Sequence, residues 1–166
     1  MFRKIDDFQA LWKYETECTE RVIGALTDDA ATRKVTIDGR SLGFLAWHLV
    51  LTAREMLGLV GLNIDAPSDD VECPGSVTEI AANYKKAATS VADSVAADWT
   101  DDTLLIKDEM YGEIWARGTT LLNLILHQTH HRGQMTVLMR QAGLVVPGIY
   151  GPAKEEWATM GLPAMK

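Results

Sequence analysis

Cysteine is scarce in this chain: Cys18 and Cys73 are the only two, far apart and without CxxC spacing. At 166 residues the chain can bury a core without covalent staples. The pair therefore implies no disulfide framework and points to a reducing, cytoplasmic setting. Positive charge is short as well. Lys and Arg total 16 against 23 Asp and Glu, a formal net charge of −7. The basic residues are scattered apart from short pairs such as Arg33–Lys34 and Lys85–Lys86, so there is no electrostatic footprint for nucleic acid. No apolar run reaches the roughly 18–20 residues a membrane span needs. The opening MFRKIDDFQALWKYE has no apolar h-region, so neither a membrane segment nor a secretory leader is expected. Internal repeats and low-complexity stretches are absent too. A 47% hydrophobic content is ordinary for a globular protein, and the length fits one domain spanning residues 1–166.

What is present is helical periodicity. Residues 6–26 place Phe8, Leu11, Trp12, Glu15, Cys18, Val22, Ile23 and Leu26 at helical spacing. Thr27-Asp28-Asp29 breaks that pattern, and residues 34–39 (KVTIDG) read as an extended connector ending in Asp-Gly. Ser41 looks like the N-cap of a second helix running to about Leu59 or Leu62. Its Phe44, Leu45, His48, Leu51, Thr52 and Glu55 share one face. Residues 63–74 are a polar loop. Ser76 with Glu79 three residues on has the form of a capping box, opening a third helix over residues 77–97 with Ile80, Tyr84, Ala87, Ala88, Val91 and Val95 inward. Residues 103–116 fit either a small hairpin or an irregular cross-over. A fourth helix starts near Gly118, with Thr119 or Thr120 as cap, and ends at Gly143 as its C′ residue. A loop over residues 145–152 and a short helix over 153–160 complete an all-α four-helix bundle with a short C-terminal helix.

Histidine is rare but concentrated. Of four in the chain, His127, His130 and His131 fall inside the fourth helix, LLNLILHQTHHRGQMTVLMRQ, and His48 lies in SLGFLAWHLVLTAREML. His127 and His131 are spaced i, i+4, so one face carries both, the spacing by which a helix gives two imidazoles to one ion. The text is HQTHH rather than HExxH, so the glutamate base of the zinc proteases is missing. Leu124 and Leu138 share the face of the pair, and His48 is aimed inward on its own helix. Three buried imidazoles without partners are hard to satisfy, and a shared divalent metal resolves the difficulty while leaving a coordination position open. A packed-histidine core remains the alternative, and imidazole sites suit zinc, nickel, copper or iron alike. His130 sits about 100° away on the helix, in a surface or supporting position.

These residues carry a resemblance. The run LNLILHQTHHRGQMTVLMRQAGLVVPGIYGP, with WHLVLTAREML upstream, resembles the DinB family, also called DinB/YfiT-like, over most of the chain. The resemblance implies a four-helix bundle with a long cross-over connection and a metal held by three histidines, which match His48, His127 and His131. It further implies zinc or nickel as the ion, a homodimer, and relatives that include transferases and isomerases dependent on low-molecular-weight thiols such as bacillithiol or mycothiol. Nothing departs from the ligand pattern. Arg132, Gly133 and Gln134 complete the motif and read structurally: an ion pair, a close helix contact, and a cap or core hydrogen bond. Trp47, Tyr111, Trp115 and Tyr150 could line a pocket mouth, although core or interface packing is the commoner use of such aromatics.

The function this resemblance implies is a metal-dependent enzyme, a thiol transferase or hydrolase acting on a small molecule. A bound ion would lower the pKa of a water or thiol. No Cys or Ser is placed as a protein nucleophile. Glu55, two turns after His48, is a weak candidate general base. Arg54, Arg117, Arg132 and Arg140 are the cations available to a thiol's carboxylates. A non-catalytic metal-binding stress protein and a purely structural helical dimer are the alternatives. Ligand chemistry predicts that metal affinity falls as pH drops below about 6.5.

Overall fold

The computed structural model describes residues 1–163. Four long helices, α1 (Ile5–Gly24), α3 (Leu42–Gly58), α4 (Val77–Asp98) and α5 (Arg117–Gln141), form the bundle. A one-turn helix, α2 (Asp28–Ala31), and a hairpin of β1 (Lys107–Met110) with β2 (Glu113–Ala116) lie in the connections. Helix α1 packs on α4 and α5, and α3 packs on the same two. Consecutive long helices α1 and α3 are therefore diagonal, as are α4 and α5. Both links cross the end of the bundle, and the second cross-over carries the hairpin.

Each helix buries the stripe its spacing dictates. Phe8, Trp12, Glu15, Thr19 and Val22 line the inner face of α1, and Trp12 donates its indole N–H to the Ala88 carbonyl at 3.0 Å. That approach is possible because α4 presents Ala87 and Ala88 there rather than bulk. Helix α3 is buried on most of its circumference, including Leu42, Leu45, Ala46, Trp47, Leu49, Val50, Ala53 and Leu57. A helix with so wide an apolar face is buried against two neighbours at once, here α4 and α5. Trp47 is thus a core residue, its indole N–H held by the Val71 carbonyl at 3.0 Å.

The helix ends follow sequence chemistry with specific exceptions. Ser41 Oγ accepts from the Phe44 amide at 3.1 Å and caps α3. Gly143, at φ +76°, ends α5. The Leu144 amide donates to the Met139 carbonyl and the Gly143 amide to that of Arg140, the paired bonds of a Schellman motif. The expected Ser76–Glu79 capping box does not form. Ser76 makes no side-chain cap bond, and the Val77 amide instead donates to Asp28 Oδ1 at 2.7 Å. The Thr27-Asp28-Asp29 break is itself the start of α2, capped by Thr27 Oγ1 on the Ala30 amide. Helix α5 begins at Arg117 without a side-chain cap, not at Thr119 or Thr120. The Phe2 amide donates to the Gly118 carbonyl at 3.0 Å, and the Phe2 carbonyl lies where a Cβ of residue 118 would stand, so glycine is required.

Residues 103–116 resolve into a 3-10 turn (Thr103–Leu105) and a two-residue hairpin with Met110 opposite Glu113. Tyr111 and Gly112 both take positive φ, +54° and +83°, as a type I′ turn requires. The short helix expected over residues 153–160 is only a 3-10 turn (Lys154–Glu156) followed by further turns. Glu156 draws that segment tight by accepting from the Gly148 and Ala153 amides, each at 2.9 Å.

Candidate metal centre

Helices α3 and α5 pack side by side, which brings His48 against His127 and His131. His127 Nε2 lies 3.2 Å from His48 Nε2 and 3.1 Å from His131 Nε2. One nitrogen from each of the three falls within 4.8 Å of the others. The rings meet edge to face, with centroids 4.4–4.9 Å apart. Three nitrogens bound tetrahedrally at the usual zinc–imidazole distance stand about 3.3 Å from one another. The histidines are therefore spaced as ligands of one ion, and they form a group that could hold a metal.

The outer nitrogens support the same orientation. His131 Nδ1 lies 2.7 Å from Gln134 Oε1, and Gln134 Nε2 lies 3.1 Å from His130 Nε2. An amide oxygen only accepts, so His131 carries its proton on Nδ1 and leaves Nε2 a lone pair aimed at the centre. His130 is exposed and anchors Gln134. Gln134 is itself exposed, so its bond is neither a cap nor a core contact but a brace on His131. Gly133 likewise corrects its expected role: a Cβ there would meet nothing within 4 Å, so no close helix contact demands glycine.

Burial governs the protonation of the cluster. Desolvation, then the neighbouring His131 and Arg40, lowers His48 to a pKa of about 4. Desolvation and the neighbouring histidines bring His127 to about 4 as well. His131 is lowered, again chiefly by burial, with the Gln134 bond opposing. Three neutral imidazoles at physiological pH are what metal binding needs. Burial thus moves proton uptake by His48 and His127 below the ordinary imidazole value. The site is also less enclosed than the sequence implied. His131 is buried, but His48 and His127 are half-buried and Phe44 is exposed, so the α3 face carrying Phe44 and His48 forms a shoulder open to solvent.

Arg132 makes the expected ion pair, and makes it deep inside. Only 1% exposed, it donates through Nη2 to Glu15 Oε2 at 2.6 Å. Its Nη1 donates to the Glu15 carbonyl at 2.9 Å and to Thr19 Oγ1 at 3.0 Å. Tyr150 closes the network, its hydroxyl touching both Arg132 and Glu15. The residue after His131 is thereby fastened to α1, and Tyr150 does not line a mouth. Glu55 accepts from the Tyr111 hydroxyl, which lies 2.8 Å from both carboxylate oxygens. It stands about 10 Å along α3 from His48 and is engaged by the hairpin, with Trp115 packed edge-on against Tyr111.

None of the four arginines expected to meet a ligand's carboxylates is free. Arg54 donates to the Ala66 carbonyl, and Arg117 grips Asp108 through two bonds. Arg132 has Glu15, and Arg140 pairs with Glu155. The cation near the centre is one the sequence reading passed over. Arg40 lies over the Phe44 ring at 5.1 Å, and that ring stacks on His48 with centroids 6.0 Å apart and planes 14° from parallel. It makes no salt bridge among the described residues. Its signal was the i, i+4, i+8 line Arg40–Phe44–His48, hidden because Arg40 precedes the cap of α3.

Comparison with known proteins agrees with this architecture. A model of the DinB family matches residues 1–164. An uncharacterized protein of Bacillus subtilis strain 168, YrdA, is 43% identical over 166 residues, covering 100% of this chain and 99% of its own. The crystal structure of a DinB-like protein from Bacillus cereus ATCC 10987 has a TM-score of 0.87 and 39% identity, covering 90% of this chain and all of that one. A second DinB-like structure, YjoA of Bacillus subtilis, is similar in fold alone, at 13% identity and a TM-score of 0.69 over 89% of this chain and 99% of that one. The chain belongs to the DinB family.

Proposed function

We propose that this protein is a metal-dependent enzyme in which His48, His127 and His131 hold one zinc or nickel ion, and that it transfers a small-molecule thiol to an electrophile. The observation that carries the reading is the convergence of three Nε2 atoms, with His131 Nδ1 already committed to Gln134. When bound, such an ion supplies Lewis acidity that lowers the pKa of a thiol or of water. The chain supplies the rest. The shoulder at Phe44 and His48 admits a ligand from solvent, and Arg40 above it is the cation a carboxylate-bearing thiol would meet. Glu55, which accepts from the Tyr111 hydroxyl, is the carboxylate on α3 that we assign as base.

The preference for thiol transfer over hydrolysis rests on the family resemblance. Two free cysteines, Cys18 buried and Cys73 exposed, suit a reducing cytoplasmic setting. A homodimer is part of the proposal, and sedimentation velocity at twice the 18.3 kDa chain mass is the expected result. The main test is elemental analysis of untagged protein beside His48→Ala, followed by turnover with low-molecular-weight thiols and an electrophile. About one ion per chain, lost in the variant, with thiol-dependent turnover that needs the ion, is expected. Metal without turnover would leave a non-catalytic metal-binding protein. No metal after incubation with zinc and nickel would leave a bundle with packed histidines.

A further inference from the structure

On the inner side of His127 lies a narrow cavity within the bundle. His127, Gln128, Tyr84 and Thr52 line it together with apolar side chains of α1, α3, α4 and α5. Two buried polar atoms on its lining residues have no protein partner, His127 Nδ1 and Gln128 Nε2. Gln128 is 3% exposed, so water cannot reach its amide from the surface. The Gln128 oxygen is committed, since it accepts from the Tyr84 hydroxyl at 2.5 Å. Burial raises the Tyr84 pKa, which keeps that hydroxyl a donor.

His127 cannot satisfy its Nδ1 by turning. Its Nε2 faces His48 and His131, so Nδ1 is the nitrogen left without a protein partner, and it carries the proton whenever Nε2 serves as a ligand. Two buried nitrogens on residues lining one small cavity thus lack a protein partner, each carrying a desolvation cost of about 1–3 kcal/mol if left unpaired. Acceptors for a bridging molecule are present. Thr52 Oγ1 gives its hydrogen to the His48 carbonyl at 2.7 Å and keeps its lone pairs, and so does the Tyr84 oxygen. The cavity offers the centre of a water molecule about 10 Å³, roughly the room that one buried water occupies.

We propose that this cavity is a built site for a single water molecule, which accepts from His127 Nδ1 and Gln128 Nε2 and thereby fixes His127 with its Nε2 free for the centre. Gln128 and Tyr84 are then positioning residues. They hold the water, the water holds the tautomer and ring angle of His127, and neither residue reaches the ligand face. The arrangement mirrors Gln134 on His131, with water replacing the direct amide contact. The water site itself rests on the unpaired donors and the cavity; its use in metal binding rests on the proposed function.

The test is a crystal structure of the full chain, with and without added zinc, at a resolution that orders buried water. It is paired with imidazole ¹⁵N NMR and zinc competition against a chelator. One water within hydrogen-bond distance of both nitrogens in either state is expected, with His127 as the Nδ1–H tautomer once zinc is bound. Gln128→Met keeps the volume and removes the amide. It should weaken zinc binding about 10–100-fold and broaden or shift the His127 resonance while the fold persists. An empty cavity, or a protein group satisfying both nitrogens, overturns the inference, as does wild-type zinc affinity in folded Gln128→Met. Water in place with no zinc bound upholds the site and sinks the metal reading. Should Gln128→Met fail to fold, the wild-type density and tautomer still decide.

Discussion

Removing Glu15 should be strongly destabilising. Its carboxylate is the one acid on the Arg132 guanidinium among the described residues, and both side chains are almost wholly buried, 6% and 1% exposed. Glu15→Leu would leave a guanidinium inside the bundle with the Glu15 carbonyl, Thr19, Thr129 and Tyr150 around it, none of which carries charge. Breaking a buried pair on one side costs about 3–5 kcal/mol. For a chain of this size, each kcal/mol lowers the unfolding midpoint by roughly 2–4 °C, so a fall of roughly 6–20 °C is expected. Thermal unfolding followed by circular dichroism measures it.

The companion experiment separates charge from packing. The double variant Glu15→Leu with Arg132→Leu removes both charges together and should recover much of the loss, since apolar replacement of a buried pair is often neutral or stabilising. A single-variant loss below about 1 kcal/mol, the value of an exposed pair, would refute the reasoning. A double variant no better than the sum of the singles would show that packing, not the orphaned charge, carries the cost.

Three further outcomes follow from particular contacts. Asp28→Ala should cost about 1 kcal/mol by uncapping α4, whereas Ser76→Ala should cost little, because the Val77 amide bonds to Asp28 and not to Ser76; urea unfolding of the two decides it. Metal-free protein should lose stability as pH falls from 6.5 towards 4. His48 and His127 sit near 4 in the folded chain against 6.5 when free, so the unfolded state binds more protons across that window; chemical denaturation at stepped pH checks it, and a flat profile would contradict the burial argument. Gln134→Ala should weaken zinc binding by roughly 10–100-fold with an unchanged melting point, read by chelator competition, because it releases His131 Nδ1 and touches nothing else buried.

What could be read from the sequence was whatever depends on short-range spacing. The i, i+4 pair His127–His131, the Ser41 cap and the Gly143 C′ position are all fixed by helix geometry within a few residues, and all fall where that geometry puts them; His48 meets the pair but is only half-buried. What could not be read depends on which chain segments meet. The Ser76–Glu79 box has the right letters, yet Asp28 lies against the same amide from 49 residues away and displaces it. Arg132 was legible as an ion-pairing residue, but its partner stands 117 positions earlier. The short C-terminal helix was lost to Glu156, whose bonds to Gly148 and Ala153 no periodicity encodes.

The same division runs through the candidate metal centre. Its three histidines are local features of α3 and α5, but their orientation is set by partners of two kinds. Gln134 braces His131 from the next turn of its own helix, a relation that spacing alone could have revealed. His127 has no such neighbour; the cavity beneath it exists only because α1, α3 and α4 close over α5, and Tyr84, 44 residues away, commits the Gln128 oxygen. A site assembled this way can be recognised from three histidines and tuned from elsewhere. Substitutions at Tyr84 or Gln128 should therefore alter how tightly the centre binds without altering which residues bind.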